Sequence, residues 1–253
     1  MSRLLFRVLA VVLLLPLFAR ADSDEDLVNG MLARIQELKR SARANGDLSD
    51  PKKTDAFQQQ LSKIIEDTLP KLSPKSRAGM TISLKMMQPL HDEVTAYVKL
   101  VDEFSSSDEA RFTTIKDRAE IPPRVAHITR LSNANDNLTN KYRGLRDEAK
   151  ALLDKSDISS SDKTGYLTAF DEGFGRTVGP TMAIRELDRK LYGEWTAALQ
   201  LLDRSWGQWK VNDKQQIEWT DDGGRARFNE IMENIHVFTE RQQRAQELLI
   251  NRG

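Results

Sequence analysis

The 253-residue chain contains no cysteine. This absence excludes disulfide frameworks, thiolate zinc sites, iron–sulfur clusters and cysteine nucleophiles. A chain of this length removes roughly 70% of its unfolded surface from water on folding, so it can build a core without such cross-links.

A surplus of charge of one sign is also absent, because 38 lysines and arginines balance 38 aspartates and glutamates. Proteins that bind nucleic acid normally carry a clustered basic surplus. We therefore expect no nucleic-acid partner.

Long hydrophobic runs are missing except near the start of the chain, where residues 8–18 are almost wholly apolar and follow two arginines. Ala19 and Ala21 place small residues at the two positions that a signal peptidase reads. The pattern predicts a signal peptide over residues 1–21, with cleavage after Ala21.

The apolar run is shorter than the about 20 residues that a membrane-spanning helix needs, and Pro16 would interrupt it. We expect no stable membrane span after cleavage; the alternative is a chain anchored by an uncleaved signal segment. Cleavage would remove three arginines and no acid, which leaves 35 basic against 38 acidic residues. The mature chain would then be faintly acidic.

Export of a chain without cysteine points to a particular compartment. Secreted eukaryotic proteins commonly rely on disulfides, whereas an exported chain that has none is more natural for bacteria. The sequence therefore predicts a periplasmic or secreted bacterial protein.

Apolar residues recur at steps of three and four along almost the whole chain, whereas strand-like alternation is confined to one short segment. This periodicity predicts an all-α fold: an elongated antiparallel bundle of six to seven helices with one small β-hairpin near residues 209–219. No repeat or low-complexity linker divides the chain, so we interpret residues 22–253 as a single helical domain.

Prolines and glycines are few, at 8 and 13 residues, and they indicate most of the helix boundaries. The first predicted helix covers about residues 24–44, the second begins at residues 50–51 and ends before residue 70, and the third runs from residues 73–74 to the serines at 105–107. A long helix is predicted from residue 121 to about residue 154, and a short one after the serine-rich connection at residues 159–162. Two more helices are predicted, one after residue 180 and a last one that begins at residues 220–222.

Two local patterns predict interruptions of the helical periodicity. Ser106 and Glu109 have the spacing of a capping box, which predicts a short helix reaching about residue 119. Glycines at 173, 175 and 179, followed by Pro180, predict a break or bend before the longest apolar stripe of the chain.

Candidate metal ligands are incomplete as sets. A di-iron bundle needs two Glu-x-x-His pairs on different helices, and the chain offers one, Glu233 with His236. Met87 and His91 are thioether and imidazole groups of the kind that copper accepts, but Met87 lies on an apolar stripe where methionine commonly fills core space. The sequence therefore predicts no metal and no cofactor.

Motifs of nucleophilic and phosphate chemistry are also missing. The chain has no Gly-x-Ser-x-Gly, His-Glu-x-x-His or Gly-x-x-x-x-Gly-Lys sequence. Residues 160–165 match both Ser-x-x-Lys and Lys-Thr-Gly, but the two matches share Lys163, which cannot fill both roles. Asn135 interrupts an apolar stripe, and we interpret it as fixing helix register rather than as catalytic. A non-enzymatic protein is predicted.

All four tryptophans lie between residues 195 and 219. Trp206, Trp209 and Trp219 could form a surface for a ligand or a partner near the hairpin, or the rings could seal one end of the bundle. We favour the sealing interpretation, because Trp195, Trp206 and Trp209 continue an apolar stripe and large aromatic rings dominate core energetics.

These observations favour a non-enzymatic, exported helical bundle that acts as an envelope scaffold, adaptor or accessory interaction protein. Its partners would be unknown envelope proteins, and the sequence does not determine its oligomeric state. The alternative is a small-ligand or metal-binding helical bundle of the periplasm that uses the methionine and histidine residues or the tryptophan-rich end.

We expect the exported protein to begin at Asp22, and intact-mass spectrometry of the periplasmic fraction measures this. Because the peptidase requires a small residue before the cut, Ala21→Arg should abolish processing. A full-length mass for the unaltered chain in the membrane fraction would favour the uncleaved anchor instead.

Overall fold

The computed structural model of the protein describes residues 24–44 and 51–252. The predicted signal peptide, residues 1–21, lies outside the described residues and stays a prediction.

The described residues form six α-helices, four short 3-10 turns and one antiparallel β-hairpin. The helices are α1 (Glu25–Ala44), α2 (Pro51–Thr68), α3 (Pro74–Ser106), α4 (Ile121–Asp154), α5 (Ser160–Arg204) and α6 (Asp222–Arg252), and the strands are β1 (Trp209–Val211) and β2 (Ile217–Trp219). The predicted all-α helical bundle with a small hairpin at residues 209–219 is confirmed. Among the helices described, none is both long and apolar enough to cross a membrane.

Contacts divide the chain into two compact units. Within the described ranges, the first unit comprises residues 24–44, 51–95 and 141–179, and the second comprises residues 96–140 and 180–252. This division does not test the single-domain interpretation of residues 22–253, which stays a prediction.

Prolines mark three helix starts. Pro51 and Pro74 are the first residues of α2 and α3, and α4 begins with Ile121 followed by two prolines. The fixed φ of proline suits the first turn of a helix, where its missing N–H would have no partner in any case. The boundaries predicted at these positions are confirmed.

A break at residues 173–180 is wrong, because α5 continues without interruption over its 45 residues; the alternative of a bend there stays a prediction. A glycine inside a helix costs only about 1 kcal/mol relative to alanine, and a proline about 3 kcal/mol. Val178 and Ile184, which flank Pro180, are both buried. Burial of these two side chains contributes about 3–6 kcal/mol in total, which is comparable with the summed cost of the three glycines and the proline.

The predicted capping box at Ser106 and Glu109 is also wrong. The Ser106 hydroxyl donates to the Asp102 carbonyl, 2.6 Å away, and so satisfies the end of α3 instead of starting a new helix. Residues 108–120 form three separate 3-10 turns, and the first turn has no side-chain cap.

The core of the first unit brings α1 and α2 together with the start of α3. Its buried members are all apolar: Val28, Met31, Ile35, Leu61, Ile64, Ile65, Leu72 and Met80. Val28, Met31 and Ile35 follow one another at steps of three and four in α1, and Leu61 is followed by Ile64 and Ile65 at the same steps in α2, as expected for the inward face of a helix.

A carboxylate that precedes α1 caps the start of α3. Asp24 Oδ2 accepts hydrogen bonds from the Ser73 amide, at 3.0 Å, and from the Ser73 hydroxyl, at 2.5 Å. The hydroxyl hydrogen bonds from Ser73 and Ser76, with the Ser73 amide, hold the pKa of Asp24 below its ordinary value. The carboxylate thus joins two segments that are 49 residues apart in the chain.

Asp24→Ala should lower the free energy of unfolding at pH 7 by about 0.5–2 kcal/mol, the usual cost of losing such a cap. Because the folded protein lowers the pKa of Asp24, its contribution is fully present above the unfolded value of about 3.9 and disappears as pH falls through the folded value. Urea unfolding at pH 7 and pH 3 should therefore show a smaller difference between variant and parent at pH 3. Asp157→Ala, at an exposed position of the same unit, is the control.

Candidate functional site

The hairpin follows α5 through a tight reversal. Gly207 has a φ of +86°, a conformation that favours glycine because it has no Cβ. The strands pair Trp209 with Trp219 and Val211 with Ile217. In the turn, the Asn212 side-chain oxygen accepts hydrogen bonds from two backbone amides, those of residues 214 and 216. The turn is therefore closed by one short side chain.

Two of the three tryptophans predicted as a candidate surface are committed to packing. Trp209 is 8% exposed, and its Nε1 donates to the Leu202 carbonyl at 2.8 Å. The Trp219 ring packs on Phe228 of α6, with ring centroids 5.7 Å apart. A Cβ added at Gly224 would lie 2.5 Å from the Trp219 ring, so this glycine permits the close approach of β2 to α6.

Trp206 differs from these two residues. Its side chain is 37% exposed and stands perpendicular to Trp209, with ring centroids 5.2 Å apart. Of the predicted surface residues, Trp206 is thus the one available to a partner, while Trp209 holds it from behind.

The fourth tryptophan belongs to an aromatic cluster behind the hairpin. Trp195 stacks on Phe112 at 4.4 Å and meets Phe104 edge-on at 5.3 Å. Phe112 in turn packs edge-on against Phe228 at 5.8 Å. The sequence analysis missed Phe112 because it lies in a segment without helical periodicity. A lone large aromatic residue among polar residues was the feature that could have identified it.

The segment 108–120, which contains 3-10 turns but no α-helix, is held by two buried side chains of α4. Arg124, 4% exposed, donates to the carbonyls of Asp108 at 3.0 Å and Arg111 at 2.7 Å, and to the Thr114 hydroxyl at 3.0 Å. His127 Nδ1 lies 2.5 Å from a carboxylate oxygen of Glu109. These contacts replace the backbone hydrogen bonds that a helix would have made.

A cavity of about 820 Å³ lies between this segment and the hairpin turn. Its lining is mixed in charge and includes Asp108, Lys116, Glu120, Arg124, Asn212 and Asp213. Arg124 is its buried cation, but the guanidinium already binds the segment and lies 3.3 Å from Glu120. The cavity therefore offers polar groups of both signs rather than a dedicated anion site.

A second group of polar residues is buried elsewhere in the second unit. Asp188 is 1% exposed; its Oδ2 accepts from the Tyr97 hydroxyl at 2.9 Å and lies 2.8 Å from Arg185 Nη2. Its Oδ1 accepts from Gln242 Nε2. The hydroxyls of Tyr97 and Tyr192 are 2.6 Å apart. We call these five residues the Asp188 network.

Asn135 of α4 supports this network through the backbone. Its Nδ2 donates to the Arg185 carbonyl at 2.9 Å, and the Arg185 guanidinium lies 4.6 Å from the centre of the Tyr97 ring. Four helices, α3, α4, α5 and α6, thus supply polar groups to one place. The sequence analysis had interpreted Asn135 as a structural polar residue, but it missed the five residues of the Asp188 network. Their positions as polar residues on otherwise apolar stripes were the signal that could have identified them.

Burial dominates the electrostatics of the network. Removal from water raises the pKa of Asp188, against the lowering effects of Arg185 and of the hydrogen bonds from Tyr97 and Gln242. Burial and the neighbouring Asp188 charge also raise the pKa of Tyr97 and of Tyr192. The two tyrosines remain neutral, and the Asp188 carboxylate faces side chains of this chain rather than solvent.

The candidate metal ligands do not assemble into a site in the part of the chain that the structure describes, where no group of three or more His, Cys, Asp or Glu side chains could hold an ion. Met87 is 2% exposed, and His91 is partly buried one turn later on α3. Glu233 and His236 are exposed on α6, and His236 Nε2 lies 3.3 Å from Glu240.

Comparisons with protein-family models, with curated proteins and with solved structures found no match to this chain.

Gly224→Ala should lower the melting temperature, although alanine is normally better than glycine in a helix by about 1 kcal/mol. The new methyl group would collide with the Trp219 ring and, at 2.8 Å, with the Asp221 carboxylate; overpacking of this kind costs about 1–3 kcal/mol. Thermal unfolding followed by circular dichroism measures the shift.

Gly193→Ala is the matched control, because nothing lies within 4 Å of a Cβ added there, and it should raise the melting temperature. Trp219→Ala should itself lower the melting temperature and should relieve most of the Gly224→Ala effect in the double variant. An equal effect of Gly224→Ala in both backgrounds would contradict the docking of β2 on α6 through Trp219.

Proposed function

We propose that the protein is a non-enzymatic helical bundle of the bacterial envelope that acts as a scaffold, adaptor or accessory factor through protein contacts, with its contact surface at the hairpin end. The observation that carries this proposal is the contrast between Trp206, which is 37% exposed, and Trp209, which is 8% exposed and anchored directly behind it.

A supported aromatic ring is suited to protein recognition. Tryptophan is enriched among the few residues that supply most of the energy of an interface, and such residues are normally surrounded by a polar rim. The Trp206 ring rests on Trp209, so less conformational entropy is lost on binding. Charged pairs lie close to Trp206 along the chain: Asp203 pairs with Arg118 at 2.7 Å, and Lys210 of β1 pairs with Glu218 at 3.3 Å.

The non-enzymatic part of the proposal is supported by the burial and the contacts of two charged side chains, Asp188 and Arg124. A catalytic acid or base must reach the proton that it transfers. Asp188 is 1% exposed and is bound by Tyr97, Arg185 and Gln242. Arg124 is engaged with the backbone of residues 108–111.

The envelope location is supported by the charged start, apolar run and small residues of positions 1–21. The lack of cysteine fits a protein whose stability outside the cytoplasm comes from helix packing alone.

The cavity beside the hairpin favours a second candidate function, the binding of a small polar ligand. Lys116 and Asp213 lie on its two walls, and among the described residues neither forms an ion pair. A ligand with groups of both charge signs would complement them. Trp206 does not line this cavity, so the two functions make separate predictions.

Site-specific photo-crosslinking tests the protein-contact proposal. A benzophenone amino acid in place of Trp206 should give a discrete adduct with one envelope protein in the native cell, because it keeps a large aromatic group at the proposed contact. The control is the same amino acid in place of Gln200, which is exposed on α5 of the same unit. A folded Trp206 variant that gives no adduct beyond the Gln200 level would overturn the proposal.

Native mass spectrometry of the protein purified from its own compartment tests this second function. A stoichiometric bound small molecule that Lys116→Ala and Asp213→Ala both release would support a ligand site in the cavity, and a ligand-free mass would contradict it.

A further inference from the structure

The inward face of α6 changes character halfway along the helix. In the first half, Phe228, Ile231 and Ile235 are 8%, 1% and 8% exposed. From residue 236 to residue 248, all of which the structure describes, no side chain is buried, and Leu249 near the end is buried again at 7%. The second half of α6 is therefore held by much less apolar surface than the first half.

Gln242 occupies the inward position where an apolar residue would continue the pattern. It lies seven residues after Ile235 and seven before Leu249, so the three side chains share one face of the helix. Its amide donates to Asp188 Oδ1. This polar tie stands in the middle of the weakly buried half.

The first half of α6 has an additional attachment that the second half lacks. The ring of Trp219, carried by the hairpin, packs against Phe228 and above Gly224. The Asp221 carboxylate caps the helix by accepting from the Gly224 amide at 2.5 Å. The start of α6 is thereby fastened at several points.

Breaking the polar tie leaves no strongly disfavoured group behind. Asp188 keeps the Tyr97 hydroxyl and the Arg185 guanidinium on Oδ2, and water can hydrate the Oδ1 atom that Gln242 leaves. A hydrogen bond exchanged for one to water costs far less than an unsatisfied buried group or a lost apolar core.

We propose that residues 236–252 are a strap that opens as a unit while residues 222–235 stay docked, and that the hydrogen bond from Gln242 to Asp188 controls this opening. In the open state water reaches Asp188 Oδ1, while Oδ2 keeps its contacts with Tyr97 and Arg185. This conformational device is independent of the contact surface proposed at Trp206.

Hydrogen–deuterium exchange of the full chain, read by mass spectrometry, tests the strap. In the unaltered protein, amides of residues 236–248 should exchange faster than those of residues 226–235. Gln242→Glu removes the amide donor and sets a second carboxylate against Asp188, so exchange in residues 236–248 should accelerate about tenfold or more, the effect of losing a hydrogen bond to a charged group. Exchange in residues 226–235 and in the hairpin should stay unchanged.

Gln246→Glu is the matched control, since it adds the same charge to the same half of α6 at a position with partial exposure; it should change exchange in residues 236–248 by less than the Gln242 variant does. If Gln242→Glu unfolds the unit, Gln242→Ala provides the test, because it removes the donor without adding charge. Equal protection along α6, an unchanged rate in the Gln242 variants, or acceleration that extends through residues 226–235 would each overturn the proposal.

Discussion

The Asp188 carboxylate constrains how four helices of the second unit face one another. An ionised carboxylate removed from water is costly unless charged and hydrogen-bonding partners surround it. Here Arg185, one turn earlier on α5, Tyr97 from α3 and Gln242 from α6 supply those partners, and Asn135 from α4 binds the Arg185 carbonyl. These contacts form together only when α3, α4, α5 and α6 have one particular arrangement. The network therefore favours that arrangement among the many that apolar stripes alone would permit.

The same principle holds for the part of the second unit that is not helical. Residues 108–120 lack a continuous backbone ladder, and the buried Arg124 and His127 supply the missing partners. Phe112 then anchors the segment to Trp195 and Phe228. With this support in place, the hairpin can keep Trp209 and Trp219 packed while it presents Trp206 to solvent.

Local patterns predicted the elements well where one interaction dominated. Prolines located the starts of α2, α3 and α4, and alternation located both strands, because backbone restriction and side-chain period act within a few residues. Prediction failed where local backbone preferences and contacts with distant residues favoured different structures. The glycines and Pro180 favoured a break in α5, but burial of the surrounding α5 residues outweighed it. The Ser106 hydroxyl binds a carbonyl of α3 instead of capping a new helix.

The sequence by itself determined that the protein is a helical bundle with one hairpin, because the 3.6-residue and two-residue periods are properties of neighbouring side chains. It also determined that no disulfide supports the fold. Only the tertiary structure decided which polar residues are buried and which tryptophan is exposed. Those outcomes depend on contacts between residues far apart in the chain, such as Tyr97 with Tyr192, 95 positions away, and Gln242 with Asp188, 54 positions away. Periodicity places a side chain on a face, but the partner that compensates its desolvation is known only when the facing helix is in place.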